Sequence, residues 1–500
     1  MKPRSIIPIL AAPVFFAGSL HGEVKPNPLF SDGAVLQRGK IIPVWGTARD
    51  RETVTVEFEG QKVSTTAADG KWSLNLQPLK EGGPFTMKIT GDNTMSVNNL
   101  LVGEVWLCSG QSNMHFRLTS VENAQQEIAA SDHPNLRFFT VREQLARTPA
   151  AEVKGEWQTI SPGTAAQCSA VAYYFGRELQ RKLGVPVGLL VGSVGGTRIE
   201  SWMRSEALAA TGESSALVEK WKKVPADEFE RIASAYRSYQ YQRDDAQPKA
   251  AKAAKARGLP VPPPPEMPKI RCHDCPSALH NGMIAPLQPF AIRGAIWYQG
   301  ESNSRQPEAY QKLQPALIAD WRRVWGDPLP FLFVQIAPHR NTHPAFREAQ
   351  LRIWQTTPLT AMAVTADVGD ADNIHPTRKE PVGRRLALAA QALAYGGQIE
   401  YSGPSYDSMT AKDGKVVLSF KHVGGGLIAK DGDLRGFTIA GADRNFVPAK
   451  AEIRGANIIL SAEGVADPKA ARYGWANVPD GNLFNQVDLP ASPFRTDADP

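Results

Sequence analysis

Between residues 24 and 100 apolar and polar residues alternate in short runs, as in Val54-Thr55-Val56-Glu57-Phe58, Trp72-Ser73-Leu74-Asn75-Leu76 and Thr86-Met87-Lys88-Ile89. A period of two puts the apolar side chains on one face of an extended chain. The turn signals Asp69-Gly70 and Gly91-Asp92-Asn93 separate the runs, so residues 23–100 predict an antiparallel β module, a small sandwich. From residue 101 the pattern changes to continuous apolar runs at 102–107, 187–192, 294–298, 331–336 and 361–366. Such runs predict strands covered on both faces, as in a parallel sheet. Between them apolar residues recur at helical spacing: Val171, Phe175, Leu179 and Leu183 before Gly184, then Tyr310, Leu313, Leu317, Trp321 and Val324 before Gly326. Each set predicts an amphipathic helix closed by a glycine, and Pro315 predicts a kink in the second. Residues 101–400 therefore predict a three-layer α/β/α domain with a parallel sheet of about five strands.

Residues 205–270 break this rhythm with helical, Lys/Arg-rich segments and end in Pro260-Val261-Pro262-Pro263-Pro264-Pro265, a stiff extended spacer. They are expected to be an insertion at the edge of the α/β domain. After residue 400 short β runs return, at 416–420, 437–439 and 458–460, with Asp413-Gly414 and Asp431-Gly432 as hairpin signals. Residues 401–500 thus predict a second β module, one that could pack with the first.

The amino terminus adds a location. Lys2 and Arg4 precede a nearly apolar stretch from Ile6 to Ala17, followed by small residues. Residues 1–22 predict a secretory signal peptide, and hence export to the periplasm or the extracellular space. The run is short for a membrane span and none later is longer. The 56 Lys and Arg against 50 Asp and Glu leave a net charge of +6, without the clustered basic face and interleaved aromatics that nucleic acid would need. That mild excess would attract an acidic substrate. Of the four cysteines, Cys272 and Cys275 form a single C-x-x-C. A structural zinc site usually takes four ligands, so a local disulfide is at least as good a reading and no metal is assigned.

In doubly wound sheets chemistry gathers at the carboxyl ends of the strands. After the first predicted strand comes Cys108-Ser109-Gly110-Gln111-Ser112-Asn113-Met114, after the second Gly192-Ser193-Val194-Gly195-Gly196-Thr197, after the third Gln299-Gly300-Glu301-Ser302-Asn303, and after the last Asp372-Asn373-Ile374-His375-Pro376. Alone, Ser112 or Asn113 reads as well as a helix cap. Together the four loops supply the parts for acyl transfer. A serine hydroxyl needs a base, and histidine, with an ordinary pKa of about 6.5, is the side chain for that at neutral pH. Ser112 is the candidate nucleophile, His375 the base and Asp372, three residues earlier, its orienting acid. The Ser112 N–H, an N–H of Gly195 or Gly196 and the Gln299 amide are candidate oxyanion donors. His115 is a rival base whose position three residues on directs it away, and the G-x-S-x-G elbow of α/β-hydrolases is absent around Ser193.

These blocks, with Leu29-Phe30-Ser31-Asp32-Gly33-Ala34-Val35-Leu36-Gln37-Arg38 and Ser277-Ala278-Leu279-His280-Asn281-Gly282-Met283-Ile284-Ala285-Pro286-Leu287, resemble the sialate O-acetylesterase family of SGNH-type carbohydrate esterases over most of the chain. The resemblance implies the same Ser112, His375 and Asp372 roles, a glycine and Gln299 in the oxyanion hole, and no metal or organic cofactor. It also makes Glu301 a competitor for the acid, because related esterases use the glutamate of the Gln-Gly-Glu block. The asparagine of the usual third SGNH block is missing here. The implied substrate is an O-acetylated carbohydrate, with O-acetylated sialic acid as the family's namesake. Arg117 or Arg198 is a candidate partner for its carboxylate. Acetylated xylan or another polysaccharide is the alternative substrate, and a carbohydrate-binding protein with an inactive esterase domain the non-enzyme alternative. Oligomeric state is left open.

Overall fold

The computed structural model describes residues 23–242, 246–266, 268 and 274–497. The expected leader at 1–22, and Cys272 with its choice of zinc or disulfide, lie outside the described residues. Cys108 and Cys168 are buried free thiols, and Cys275 is buried.

Strand β1 (Thr94–Gly110) runs through two parts of the fold. Its beginning alternates in burial and pairs antiparallel with Gly82–Thr90 across the Gly91-Asp92-Asn93 turn. From Leu100 onward every residue is buried, because the strand now lies inside a second set of neighbours. The change of hydropathy at residue 101 is therefore a change of partners within one strand and not a linker. The N-terminal module is completed by Thr53–Phe58 and Gln61–Thr66 on the β1 side and by a sheet of Lys25–Pro26, Ile42–Thr47 and Lys71–Leu76.

The central sheet adds β2 (His133–Thr140), β3 (Trp157–Ile160), β4 (Val187–Ser193), β5 (Gly294–Tyr298), β6 (Phe331–Val334) and β7 (Thr360–Ala363). Their order is β3-β2-β4-β1-β5-β6-β7, parallel except for β3 against β2. All five expected strands are present, and β2 and β3 are additional. Arg137 interrupts the apolar run of β2, yet it is buried, its guanidinium donating to the Gly33 carbonyl (2.9 Å) and to Asn99 Oδ1 (2.8 Å).

Alternate residues of these strands face two helical layers. Trp106, Phe138, Leu189 and Ile296 pack with Val171, Phe175 and Leu179 of one helix (Ala170–Leu183) and Val382 and Leu386 of another (Glu380–Tyr395). Leu107, Phe139, Leu190 and Trp297 face Tyr310, Leu317 and Trp321 of Pro307–Trp325 and Phe346 and Ile353 of Pro344–Thr356. Gly184 and Gly326 end their helices in the left-handed region, at φ 68° and 64°. Pro307–Trp325 continues through Pro315 as one helix. No helix among the described residues is long and apolar enough to cross a membrane.

The described part of the insertion is helical over Ser205–Ala210, Ser215–Lys222, Ala226–Tyr241 and Gln247–Ala256, and residues 259–266 form no regular element. The C-terminal strands form two four-stranded sheets and a two-stranded pair. Asp413-Gly414, both at positive φ, turns the hairpin Ser405–Lys412/Lys415–Lys421 as expected. Asp431-Gly432 does not make a hairpin. Leu427–Ala429 before it pairs with Leu483–Asn485, while Phe437–Ala440 after it belongs to another sheet. This module docks on the α/β domain, where Arg495 meets Glu348 at 3.1 Å and Gln335 Nε2 donates to Ser492 Oγ at 2.9 Å.

Candidate active site

Register places the loops. Gly110 at the end of β1 is aligned with Ser193 at the end of β4 and with Tyr298 at the end of β5, so three strands stop level and their loops emerge side by side. Gly110 has φ 143°, and a Cβ there would run into the Tyr298 carbonyl. Glycine alone allows both the backbone angle and the close approach. Past it, Gln111 N donates to Tyr298 O at 2.9 Å, while the Gln111 side-chain oxygen accepts from the N–H groups of Gly300 (3.3 Å) and Ser302 (3.2 Å). Ser112 then begins the short helix α1 (Ser112–His115). Gln111 holds the cap position without a side-chain cap bond, so neither Ser112 nor Asn113 serves as the cap.

His375 meets this turn from the chain that follows the edge strand β7, with Nε2 at 2.8 Å from Ser112 Oγ. Its loop is ordered locally: Asp370 Oδ1 accepts from Asp372 N (2.8 Å) and Asn373 N (3.1 Å), and Asn373 Oδ1 accepts from His375 N (3.0 Å). Burial, then the charges of Lys379 and His339, hold the imidazole pKa below its ordinary value. All three favour the neutral ring, the form that can accept a proton. His115 is turned instead toward the Ser193 carbonyl (3.3 Å).

The two candidate acids sit elsewhere. Asp372 is an ion-pair partner of Arg340, with its side chain 75% exposed. Among the described residues no hydrogen bond joins it to His375, because the turn that brings it near in sequence aims its carboxylate at the guanidinium. Glu301 is half-buried with its carboxyl enclosed, accepts from Asn113 Nδ2 at 2.6 Å, and has its pKa pushed up by desolvation of that carboxyl. It does not reach the imidazole.

The oxyanion candidates divide in the same way. Gly195 lies against the nucleophile, since a Cβ on it would stand 3.4 Å from Ser112 Cβ, and Gly196 faces open space at φ 74°. Among the described residues the N–H groups of Ser112, Gly195 and Gly196 have no acceptor within the chain. Gln299 is fully buried with both amide hydrogens committed, to Thr197 O (3.1 Å) and Asn303 Oδ1 (2.8 Å), while its oxygen accepts from Tyr310 OH (2.8 Å). It ties the loops after β4 and β5 together and has no free donor for Ser112. Two residues at the site went unassigned in the sequence, Asn113 and Lys379. A lysine ahead of a helix carries no sign that it will be buried, yet Lys379 is 1% exposed.

Residues 102–254 and 277–392 match the profile of the family described as carbohydrate esterase, sialic acid-specific acetylesterase. The sialate O-acetylesterase of Rattus norvegicus is 32% identical over 418 residues, covering 74% of this chain and 73% of the relative. That of Homo sapiens is 31% identical over 409 residues, covering 72% and 69%. A crystal structure of a carbohydrate acetylesterase from Xanthomonas citri superposes with a TM-score of 0.81 at 35% identity, covering 95% of this chain and all of that one.

Proposed function

Because the chain belongs to the sialic acid-specific acetylesterase family of carbohydrate esterases and is a hydrolase of O-acetyl esters, we propose that it works by nucleophilic catalysis from Ser112. Ser112 Oγ attacks the acetyl carbonyl carbon as its proton passes to His375 Nε2. The oxyanion is met by the Ser112 N–H and an N–H of Gly195 or Gly196, each worth on the order of 100-fold in rate. Collapse expels the sugar oxygen, which takes the proton from the imidazolium. Water, deprotonated by His375, then attacks the acetyl-enzyme and releases acetate. The observation that carries this reading is the 2.8 Å approach of His375 Nε2 to Ser112 Oγ beside unpaired N–H groups. Asp372 takes the orienting role only by leaving Arg340, so we assign the proton transfer to the Ser112–His375 pair itself.

O-acetylated sialic acid is the substrate we propose. Arg117, exposed and two residues beyond the end of α1, lines a cavity of about 150 Å³ with His115, Arg142 and Ser193, and so offers the substrate carboxylate a guanidinium. Arg198 is less free, since it donates to Gln306 Oε1 at 2.8 Å. Export through the leader would place the enzyme where such glycans are met. The test is acetate release from O-acetylated sialic acid and acetylated xylan side by side, with Ser112→Ala as control. Equal release by the variant would remove the serine mechanism, and preference for xylan would remove the sialate assignment.

A further inference from the structure

Behind the nucleophile lies a buried polar cluster that the reaction above does not use. Asn113 is fully buried and holds three segments at once. Its Nδ2 donates to Glu301 Oε1 (2.6 Å) in the loop after β5 and to the carbonyl of Ile374 (3.0 Å), the residue before His375. Its Oδ1 accepts from Lys379 Nζ at 2.5 Å. The ammonium is otherwise enclosed by aromatic faces, 4.9 Å from the Phe116 ring centre and 5.3 Å from that of Tyr298. Glu301 Oε2 is buried without a hydrogen-bond partner. A buried ammonium and carboxylate joined through one amide are costly to keep, so their retention calls for a reason beyond packing.

We propose that Lys379, acting through Asn113, is a positioning residue of the esterase reaction, fixing the Ser112 helix and the His375 loop in one register. The proposal rests on the assignment of Ser112 as nucleophile and His375 as base. Asn113 directly follows Ser112 and grips the backbone next to His375, so the separation of Oγ and Nε2 is set by the same amide that Lys379 anchors. Without the lysine the Asn113 amide is free to turn, and its bond to Ile374 is lost with it. Lys379 also acts at a distance. Burial pushes its pKa down to about 7, opposed by Glu301, and as a cation it disfavours the His375 imidazolium. The other groups facing that ring are Ser112 Oγ and, from the loop after β6, His339. Asp372 faces Arg340.

The experiment compares Lys379→Met with the double variant Lys379→Met/Glu301→Gln, which leaves no unpaired charge buried and covers the case where the single variant fails to fold. For both, kcat is expected to fall by about 100-fold with KM little changed, the size of an approximately 1 Å misplacement of reacting groups. The acid limb of kcat/KM should move to higher pH, because loss of the nearby cation raises the His375 pKa and the neutral base is reached later. Lys379→Gln retains a donor for Asn113 without the charge. It is expected to recover most of kcat while keeping the displaced limb. Wild-type kcat in the folded double variant, or an unmoved limb in all three, overturns the proposal. Ser112→Ala runs alongside: if it stays active, the underlying assignment fails, whereas an inactive Ser112→Ala with a normal double variant refutes the lysine role alone.

Discussion

Gly110→Ala isolates the link from strand register to catalysis. The added Cβ would lie 2.7 Å from the Tyr298 carbonyl carbon and 2.9 Å from its nitrogen, against about 3.5–4.0 Å for an ordinary contact. Relief requires β1 and β5 to part by about 1 Å at the point where Gln111 N binds Tyr298 O. The φ of 143° adds about 1–3 kcal/mol of backbone strain for any residue with a side chain, and overpacking adds about 1–3 kcal/mol. A stability loss of about 2–6 kcal/mol follows. The same displacement moves Ser112 away from His375, which should lower kcat by about 100-fold in the molecules that remain folded. Denaturant unfolding gives the first quantity, and hydrolysis of a chromogenic acetate ester well below the unfolding midpoint gives the second. An alanine variant with an unchanged midpoint and kcat within about twofold of wild type would refute the claim that this glycine sets the nucleophile's position.

Three further outcomes follow from the same geometry. The pH profile of kcat/KM should rise with an apparent pKa below the ordinary histidine value of about 6.5, since burial and two neighbouring cations or potential cations depress His375; a limb above that value would contradict the environment described. Asp372→Asn should lose no more than about threefold in kcat, because an exposed ion pair contributes little, whereas a loss approaching about 10,000-fold would make Asp372 the orienting acid after all. Glu104→Ala should cost about 3 kcal/mol in urea unfolding. It removes a fully buried carboxylate bound by Arg38 Nε (2.5 Å), Arg293 Nε (2.8 Å) and Tyr395 OH (3.0 Å), and the partly exposed guanidiniums can rehydrate. Burial pushes the Glu104 carboxyl up, but Arg293 and Arg38 outweigh it and the net shift is downward. Its stabilisation is thus complete above the unfolded carboxylate value of about 4.3 and fades as pH falls through the lower folded value. A difference between wild type and variant that grew in acid would contradict this sign.

Much of the architecture was legible because burial on two faces leaves continuous apolar runs, and five of the seven central strands follow from that pattern. β2 escaped it because Pro134 and Arg137 interrupt its apolar residues, and the burial of Arg137 depends on carbonyl and amide oxygens supplied from residues 33 and 99. β3 is four residues at the sheet edge, too short for any period. The site divides similarly. Ser112, His375 and Gly195 come together because they follow strand ends of one sheet, a placement that the loop after each strand makes legible. Asp372 is suggested by its spacing from His375 and by the family resemblance, neither of which reveals that Arg340 takes its carboxylate. Gln299 is suggested by residue type and by the family resemblance, and only the fold brings Thr197 and Asn303 to occupy its amide. Asn113 reads in sequence only as a possible helix cap, and Lys379 gives no signal, since a buried ammonium is indistinguishable in sequence from a solvated one.

The central claim is that Ser112 carries the acetyl group. The most direct measurement is labelling with an organophosphate ester that phosphorylates activated serines, followed by peptide mapping of wild type, Ser112→Ala and His375→Ala. The account predicts one adduct, on the peptide containing Ser112, formed with loss of all esterase activity, absent in Ser112→Ala and strongly slowed in His375→Ala. An adduct on a different residue, or a Ser112→Ala enzyme that still releases acetate at the wild-type rate, would contradict it.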